Sequence, residues 1–373
     1  MMSRFKAKKM NRFHHPTSIM KRFLILLLTA AVLTCGAQST KKVLFIGNSY
    51  TYVNDLPGTV RTLALGCGDT LNFEQSTPGG CTFQNHLSNA TTTSLIAQGG
   101  WDNVVLQEQS QLPSFPIGQV QSECFPYAQQ LCDLIRNSTP DAGIIFYMTW
   151  GRKNGDASNC ANYPPLCTYE GMDSLLYWRY LQMAEDNYAS VSPVGRVWHV
   201  LRDHHPEIEL YSSDESHPSV AGTYAAAVTF YTILFRKSPA CISNDLTLDA
   251  AAAQAIRETV AAVVFDSLDF WTQYDSTTPE DPDGIGTASV TAQLQVYPNP
   301  ASGMIHIGLP DDSGYDLTLH NAVCAEVARI STEGRSAVEL SVSNLPSGVY
   351  VLECRPKGRS RDGFVRRTKV VVE

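Results

Sequence analysis

The chain has 373 residues, with 28 Lys and Arg against 36 Asp and Glu, for a formal net charge of -8. Of the basic residues, 7 lie in the first 37 positions with no acid beside them, so the remainder carries 28 minus 7, or 21, basic residues against 36 acidic ones, a net charge of -15. That balance disfavours nucleic acid and anionic polymers as partners, and the length suits one large domain followed by a smaller one.

At the amino terminus Lys21 and Arg22 precede an apolar run from Phe23 to Leu33, followed by Cys35-Gly-Ala37. The run is short for a transmembrane helix, and the pattern predicts a secretory signal peptide over residues 1–37, cut after Ala37. The basic segment before Met20 is long for such a leader, which points to translation starting at Met20 or Met10. Thr34 is larger than the residue normally tolerated ahead of a lipidated cysteine, which argues against a lipoprotein. No stable transmembrane segment is expected once the leader is removed.

From residue 38 to 271 apolar runs alternate with helix-length segments, as in a parallel sheet with crossover helices. Strands are expected at Val43–Ile46, Val104–Leu106, Gly143–Met148 and Val197–Val200, and helices at Leu56–Ala64, Cys124–Arg136, Met172–Ser190 and Leu248–Phe270. Residues 272–293, rich in Thr, Asp, Pro and Gly, read as a solvated linker. Residues 294–373 then show six strand-like segments punctuated by Gly, Pro, Asn or Ser, the pattern of a β-sandwich. This module holds 9 basic and 9 acidic side chains, so the negative charge belongs to the first domain and linker. His306 and His320 lie within its strand patterns and read as ordinary strand residues.

Four segments of the first domain carry chemistry. Val43-Leu-Phe-Ile46 runs into Gly47-Asn-Ser49, placing a serine at the carboxyl end of a buried strand, where open α/β sheets form their sites. Gly47 is expected in a backbone conformation closed to other residues, and Asn48 tolerates left-handed geometry. Ser49 in that turn is a candidate nucleophile; a serine there also serves as a helix cap. Ser76-Thr-Pro-Gly79-Gly80 offers unobstructed backbone amides, although two glycines also make a simple turn. Trp101 to Ser110 carries a buried-type strand into Gln107-Glu-Gln109, whose amides suit either a surface or an oxyanion. Finally, in Asp214-Glu-Ser-His217-Pro the three-residue spacing lets a carboxylate hold one imidazole nitrogen while the other faces a serine. Asp214 or Ser216 also suits a helix cap. His204 and His205 are weaker candidates for the base, lacking the ordered helix entry that follows His217.

Taken in order, Gly47-Asn-Ser49, Gly79-Gly80, the strand ending at Gln107-Glu-Gln-Ser110, and Asp214-x-x-His217 resemble the SGNH (GDSL-type) hydrolase family over residues 41 to about 271. The resemblance implies a flavodoxin-like α/β/α fold in which Ser49 attacks, His217 is the base and Asp214 orients it. It places the backbone amides of Ser49 and of Gly79 or Gly80 in the oxyanion hole. The family's third block usually carries Gly-x-Asn, and here Gln109 stands where that asparagine would be. Trp150 and Arg152, just after the strand at residues 143–148, are candidate substrate contacts, through sugar stacking and a substrate oxygen respectively; core packing and a surface ion pair are the commoner roles.

Neither cofactor nor metal is called for: no Cys-x-x-Cys or His-x-x-x-His spacing occurs. Of 10 cysteines, Cys35 lies in the leader, which leaves 9 in an exported chain. The Pro-rich loop between Cys160 and Cys167 favours that pair as a disulfide. Cys67 with Cys81 and Cys124 with Cys132 are weaker suggestions, with Cys241 the odd one out.

In the terminal module Val296-Tyr-Pro-Asn-Pro300, Asn344-Leu-Pro-Ser-Gly-Val-Tyr350 and Arg366-Arg-Thr-Lys-Val-Val-Val372 resemble the carboxy-terminal sorting domain of the type IX secretion system. That implies export through the periplasm and outer membrane of a Bacteroidetes-type bacterium by the type IX machinery, ending in release or surface attachment and often in removal of the module. Without that resemblance the module reads equally as a carbohydrate-binding sandwich, though Tyr297, Tyr315, Tyr350 and Phe364 form no obvious binding strip. The expected function is a secreted serine esterase acting on short-chain acyl esters, acetyl foremost, with acylated glycans as the expected substrate. An acyltransferase using the same serine and a catalytically inactive glycan-binding surface protein are the alternatives.

Overall fold

The computed structural model describes residues 38–272, 294–309, 314–321, 326–332, 335, 337–357 and 366–372. The signal peptide predicted over 1–37 and the linker predicted over 272–293, apart from Thr272, lie outside the described residues.

The first domain is built on five parallel strands: β1 (Thr40–Ile46), β2 (Thr70–Ser76), β3 (Asn103–Leu106), β4 (Gly143–Tyr147) and β5 (Ser190–Ser192). They are ordered β2-β1-β3-β4-β5, which is the flavodoxin-like order. Val43, Leu44, Phe45 and Ile46 have no exposed surface because β1 lies between β2 and β3, with helices covering the sheet. One group of helices, Leu56–Gly66, Val194–His204, Val220–Phe235 and Ala250–Val263, packs together; a second comprises Phe83–Ser88, Ala90–Gln98, Phe125–Ser138 and Tyr169–Asp186. Val220–Phe235 is apolar on every side and is buried along almost its whole length.

One expected strand is a helix. Val194, Val197, Trp198 and Leu201 recur at the spacing of one helical face, and all four are buried on the helix Val194–His204. The fifth strand is instead Ser190-Val-Ser192, too short and too polar to read as one, yet fully buried.

The terminal module forms two antiparallel sheets. β6 (Gln295–Tyr297), β7 (Met304–Gly308) and β10 (Ala337–Ser341) form one, in the order β10-β7-β6. β8 (Tyr315–His320), β9 (Glu326–Ser331), β11 (Gly348–Pro356) and β12 (Arg366–Val372) form the other, in the order β12-β11-β8-β9. Ile305, Ile307, Leu317, Leu319 and Leu352 alternate inward to make the core, as a sandwich requires. β9 buries little, and its Glu-Val-Ala-Arg-Ile-Ser sequence carries no continuous apolar run to mark it as a strand.

Among the described residues two disulfides are present, Cys160–Cys167 as favoured and Cys67–Cys241. The second corrects the suggested pairings, since Cys81, Cys124 and Cys132 are free and buried. Cys67 and Cys241 are 174 residues apart in sequence and meet because the helices Leu56–Gly66 and Val220–Phe235 pack side by side.

Candidate active site

At the end of β1 the chain turns into a short helix, Ser49–Tyr52. Gly47 is required there for space. A β-carbon at that position would meet Thr51 Oγ1 at 2.5 Å and Gln107 Oε1 at 2.7 Å, and its φ lies outside the left-handed region expected for it. Asn48 is likewise not left-handed: at φ -144° it caps the helix, its Oδ1 accepting from the Tyr50 amide at 3.2 Å. Its Nδ2 donates to the Cys81 carbonyl at 3.0 Å, and its own amide donates to Gln107 Oε1 at 2.9 Å. The turn is thereby fastened to both the second and the third motif.

Ser49 Oγ lies 2.8 Å from His217 Nε2, and His217 Nδ1 lies 2.5 Å from Asp214 Oδ2. With Asp214 ionised, Nδ1 carries the proton and Nε2 is left to accept from the serine hydroxyl. Asp214 Oδ1 accepts from Ser212 Oγ and from the amides of Ser216 and His217, at 2.7, 3.0 and 2.9 Å. Partial burial works to raise this carboxyl, but the bonds from His217, Ser212 and the two amides outweigh it and hold it well below the usual carboxylate range. Glu215 takes a left-handed φ of 61° in making the turn, and its carbonyl accepts from the Lys153 amide at 2.9 Å. Asn54, also left-handed at φ 54°, donates from Nδ2 to the Pro218 carbonyl and to Thr223 Oγ1, at 3.1 and 3.0 Å. Such strain persists only where surrounding contacts hold it, and here it ties the serine segment to the histidine loop.

The Ser49 amide is the first of its helix, one of the donors a helix start leaves without an intrahelical partner. Gly79 and Gly80 form the facing turn, Gly80 with φ +66°, and a β-carbon on Gly79 would lie 3.6 Å from the hydroxyl of Tyr52. Gln109 is turned toward its own loop: Oε1 accepts from the amides of Gln111 and Leu112 at 2.8 and 3.1 Å, and Nε2 donates to Gln111 Oε1 at 3.1 Å. One N–H of its side-chain amide is committed in that way. Glu108, fully buried, accepts from the amides of Phe83 and Gln109, at 3.0 and 2.6 Å, so it holds the glycine turn's exit against the end of β3. Burial pushes its carboxyl up to about 8 against those bonds.

Trp150 does not present a face to solvent. It has no exposed surface and stacks between Trp198 and Tyr50, at centroid distances of 3.8 and 4.7 Å, which removes it as a sugar platform. Tyr50 in turn meets the His217 ring edge-on at 5.4 Å, and its hydroxyl lies 2.7 Å from Ser216 Oγ. Arg152 is part-buried and paired with Asp156 at 3.2 Å. Asp156 has no exposed surface and also accepts from Gln111 Nε2 at 2.7 Å, stitching the loop after β4 to the loop after β3. His205 pairs with Glu207 at 3.3 Å beyond the end of its helix. Sequence reading passed over Tyr50, Asn54 and Asp156; the only available signal was that each lies within a few residues of a motif. Among the described residues no cluster of three or more His, Cys, Asp or Glu side chains suits a metal ion.

Residues 295–363 match the family model for the secretion system C-terminal sorting domain. The chain thus carries the sorting module of an exported protein, secreted or held at the outer-membrane surface, and the secretion machinery is its partner. Among the described residues no helix is long and apolar enough to cross a membrane. No curated protein sequence matches the chain. Among solved structures, a DUF4886 family protein from Bacteroides uniformis superimposes with a TM-score of 0.53 at 17% identity, covering 61% of this chain and 95% of its own. A Slackia heliotrinireducens protein described as a candidate SGNH hydrolase is 24% identical over 52% of this chain and 99% of its own, with a TM-score of 0.44. A candidate GDSL-like lipase from Parabacteroides merdae is 12% identical over 52% of this chain and 94% of its own, with a TM-score of 0.40.

Proposed function

We propose that this chain is an exported serine ester hydrolase. The observation that carries the reading is the unbroken chain from Ser49 Oγ to His217 Nε2 and from His217 Nδ1 to Asp214, at 2.8 and 2.5 Å. Ser49 attacks the acyl carbon while its proton passes to His217, and Asp214 holds the imidazolium that forms. The oxyanion is received by the amides of Ser49 and of Gly79 or Gly80, with the second N–H of Gln109 as a third donor. Collapse of the intermediate expels the alcohol, which takes the proton from His217. Water then enters, gives a proton to His217 and attacks the acyl-enzyme, and the proton returns to Ser49 as the acid leaves.

The substrate we infer is a short-chain acyl ester, acetyl foremost, carried by a glycan. Support for the sugar comes from Tyr52, 45% exposed and three residues beyond Ser49 on the same helix, whose ring offers a flat apolar face beside the glycine turn. The part-buried Arg152, paired with Asp156, is the nearby cation for a substrate oxygen. The test is hydrolysis of aryl esters of increasing chain length and of acetylated polysaccharides by the exported protein and by Ser49→Ala. Wild-type activity that declines with acyl length and vanishes in the variant is expected; full activity in Ser49→Ala overturns the mechanism.

A further inference from the structure

Gly47, two residues before Ser49, is held through both its amide and its carbonyl by buried groups that the proposed chemistry does not use. Its amide donates to the Ser76 carbonyl at 3.1 Å, and its carbonyl lies 2.9 Å from His86 Nε2. His86 Nδ1 lies 2.8 Å from Thr92 Oγ1, which lies 2.7 Å from Ser76 Oγ. The contacts close into a ring that runs from Gly47 through His86, Thr92 and Ser76 and back to Gly47. His86 and Thr92 have no exposed surface, and Ser76 is buried.

The partners dictate the proton positions. A carbonyl only accepts, so Nε2 of His86 carries the hydrogen, Nδ1 accepts from the Thr92 hydroxyl, and the Ser76 hydroxyl donates to Thr92. Burial pushes the imidazole down to about 4 against the opposing effect of the Gly47 bond, so the ring is neutral across the ordinary range.

His86 also belongs to the opposite wall of the site. Its helix, Phe83–Ser88, begins three residues after Gly80, and Glu108 grips the first amide of that helix at 3.0 Å. One short element therefore reaches the glycine turn through its start and the serine turn through its histidine. We infer that His86 is a positioning residue: through its bond to Gly47 it sets the spacing between the turn that presents Ser49 and the Gly79–Gly80 turn, which together supply the backbone oxyanion donors. This rests on the reading of Ser49 as the nucleophile. The effect belongs to the transition state, where displacements of an ångström are costly, so it acts on kcat rather than KM.

The test compares His86→Leu, His86→Gln and Thr92→Val with the wild-type chain in kcat and KM on an aryl acetate, labelling rate of Ser49 by a fluorophosphonate, and thermal melting. His86→Leu should lower kcat by roughly 10- to 100-fold with KM changed less than about twofold. His86→Gln, whose amide again offers an N–H to Gly47, should stay within about threefold of wild type. Thr92→Val should follow His86→Leu with a smaller loss, and nitrogen NMR of the wild type should show the neutral Nε2–H tautomer of His86. The inference is overturned by unchanged kcat in a folded His86→Leu, or by a His86→Gln as impaired as the leucine variant. Should His86→Leu not fold, unchanged kcat in Thr92→Val overturns it. Absence of labelling in the wild type instead defeats the ester-hydrolase reading, and equal labelling of wild type and His86→Leu defeats the positioning role alone.

Discussion

Trp150 Nε1 donates to the carbonyl oxygen of Ser216 at 3.1 Å, so a buried indole holds the residue that directly precedes His217. Trp150→Phe keeps an aromatic ring in the stack and leaves that carbonyl without its donor, a change that costs about 1–3 kcal/mol. The expected result is a kcat about tenfold lower, a melting temperature lower by several degrees, and an unchanged KM for an aryl acetate. A variant whose KM rises for acetylated glycans alone, with kcat and melting preserved, would restore the sugar-platform role.

Asp214→Asn replaces an acceptor of four hydrogen bonds with a group that also donates. The amide can meet His217 Nδ1 only by presenting its oxygen there and turning its N–H groups toward the Ser216 and His217 amides, or by driving the ring into the other tautomer. Turnover should fall on the order of a thousandfold or more while substrate binding persists. A loss of less than about tenfold removes Asp214 from the role given to it.

Gln109 braces its own loop through Oε1 and one N–H of Nε2, and the proposed oxyanion role falls to its second N–H. Gln109→Glu keeps acceptors for the Gln111 and Leu112 amides and has no N–H to give. If the donor matters to the oxyanion, both Gln109→Glu and Gln109→Ala should lose on the order of a hundredfold in kcat. Turnover retained by the glutamate variant and lost by the alanine variant assigns Gln109 to the loop alone.

Acid–base stability should carry two opposed signatures. His86 drops from an unfolded value of 6.5 to about 4, so between those values the unfolded chain binds the extra proton and stability rises with pH. Glu108 rises from 4.5 to about 8, so over that range the folded chain binds the extra proton and stability falls with pH. The two nearly cancel from about pH 4.5 to 6.5, leaving a net loss of about 2 kcal/mol from there to pH 8. Melting of the full chain across that range should be flat and then decline, and Glu108→Gln should abolish the decline. A melting curve that keeps rising to pH 8 contradicts the burial assigned to Glu108.

The residues brought together at Ser49, Asp214 and His217 were legible because their types, order and spacing are dictated by the chemistry asked of them. The middle of the parallel sheet was legible for a similar reason, since β1, β3 and β4 carry the apolar runs that buried strands favour, whereas the polar β2 and β5 did not read as strands. What stayed hidden depends on the third dimension. Trp150 reads the same whether it stacks on substrate or on Trp198, and only burial separates the two. Cys67 and Cys241 are joined by helix packing that no local spacing announces. Gly47 invites a conformational explanation, while the actual constraint is the approach of Thr51 and Gln107 from elsewhere in the fold. Val197–Val200 differs in kind: the helical period is present in Val194, Val197, Trp198 and Leu201, and the β-branched residues Val197 and Val200 masked it.

The bond between Cys67 and Cys241 bears on how the molecule survives outside the cell. Ser49 lies upstream of the first of these cysteines, whereas Asp214 and His217 lie between the two. Cleavage by a protease anywhere from residue 68 to residue 213 would therefore leave the serine on one polypeptide and the histidine with its aspartate on another, still tethered through sulfur. A molecule nicked in an exposed loop would keep its two halves at fixed stoichiometry, unable to diffuse apart and free to re-form the same sheet.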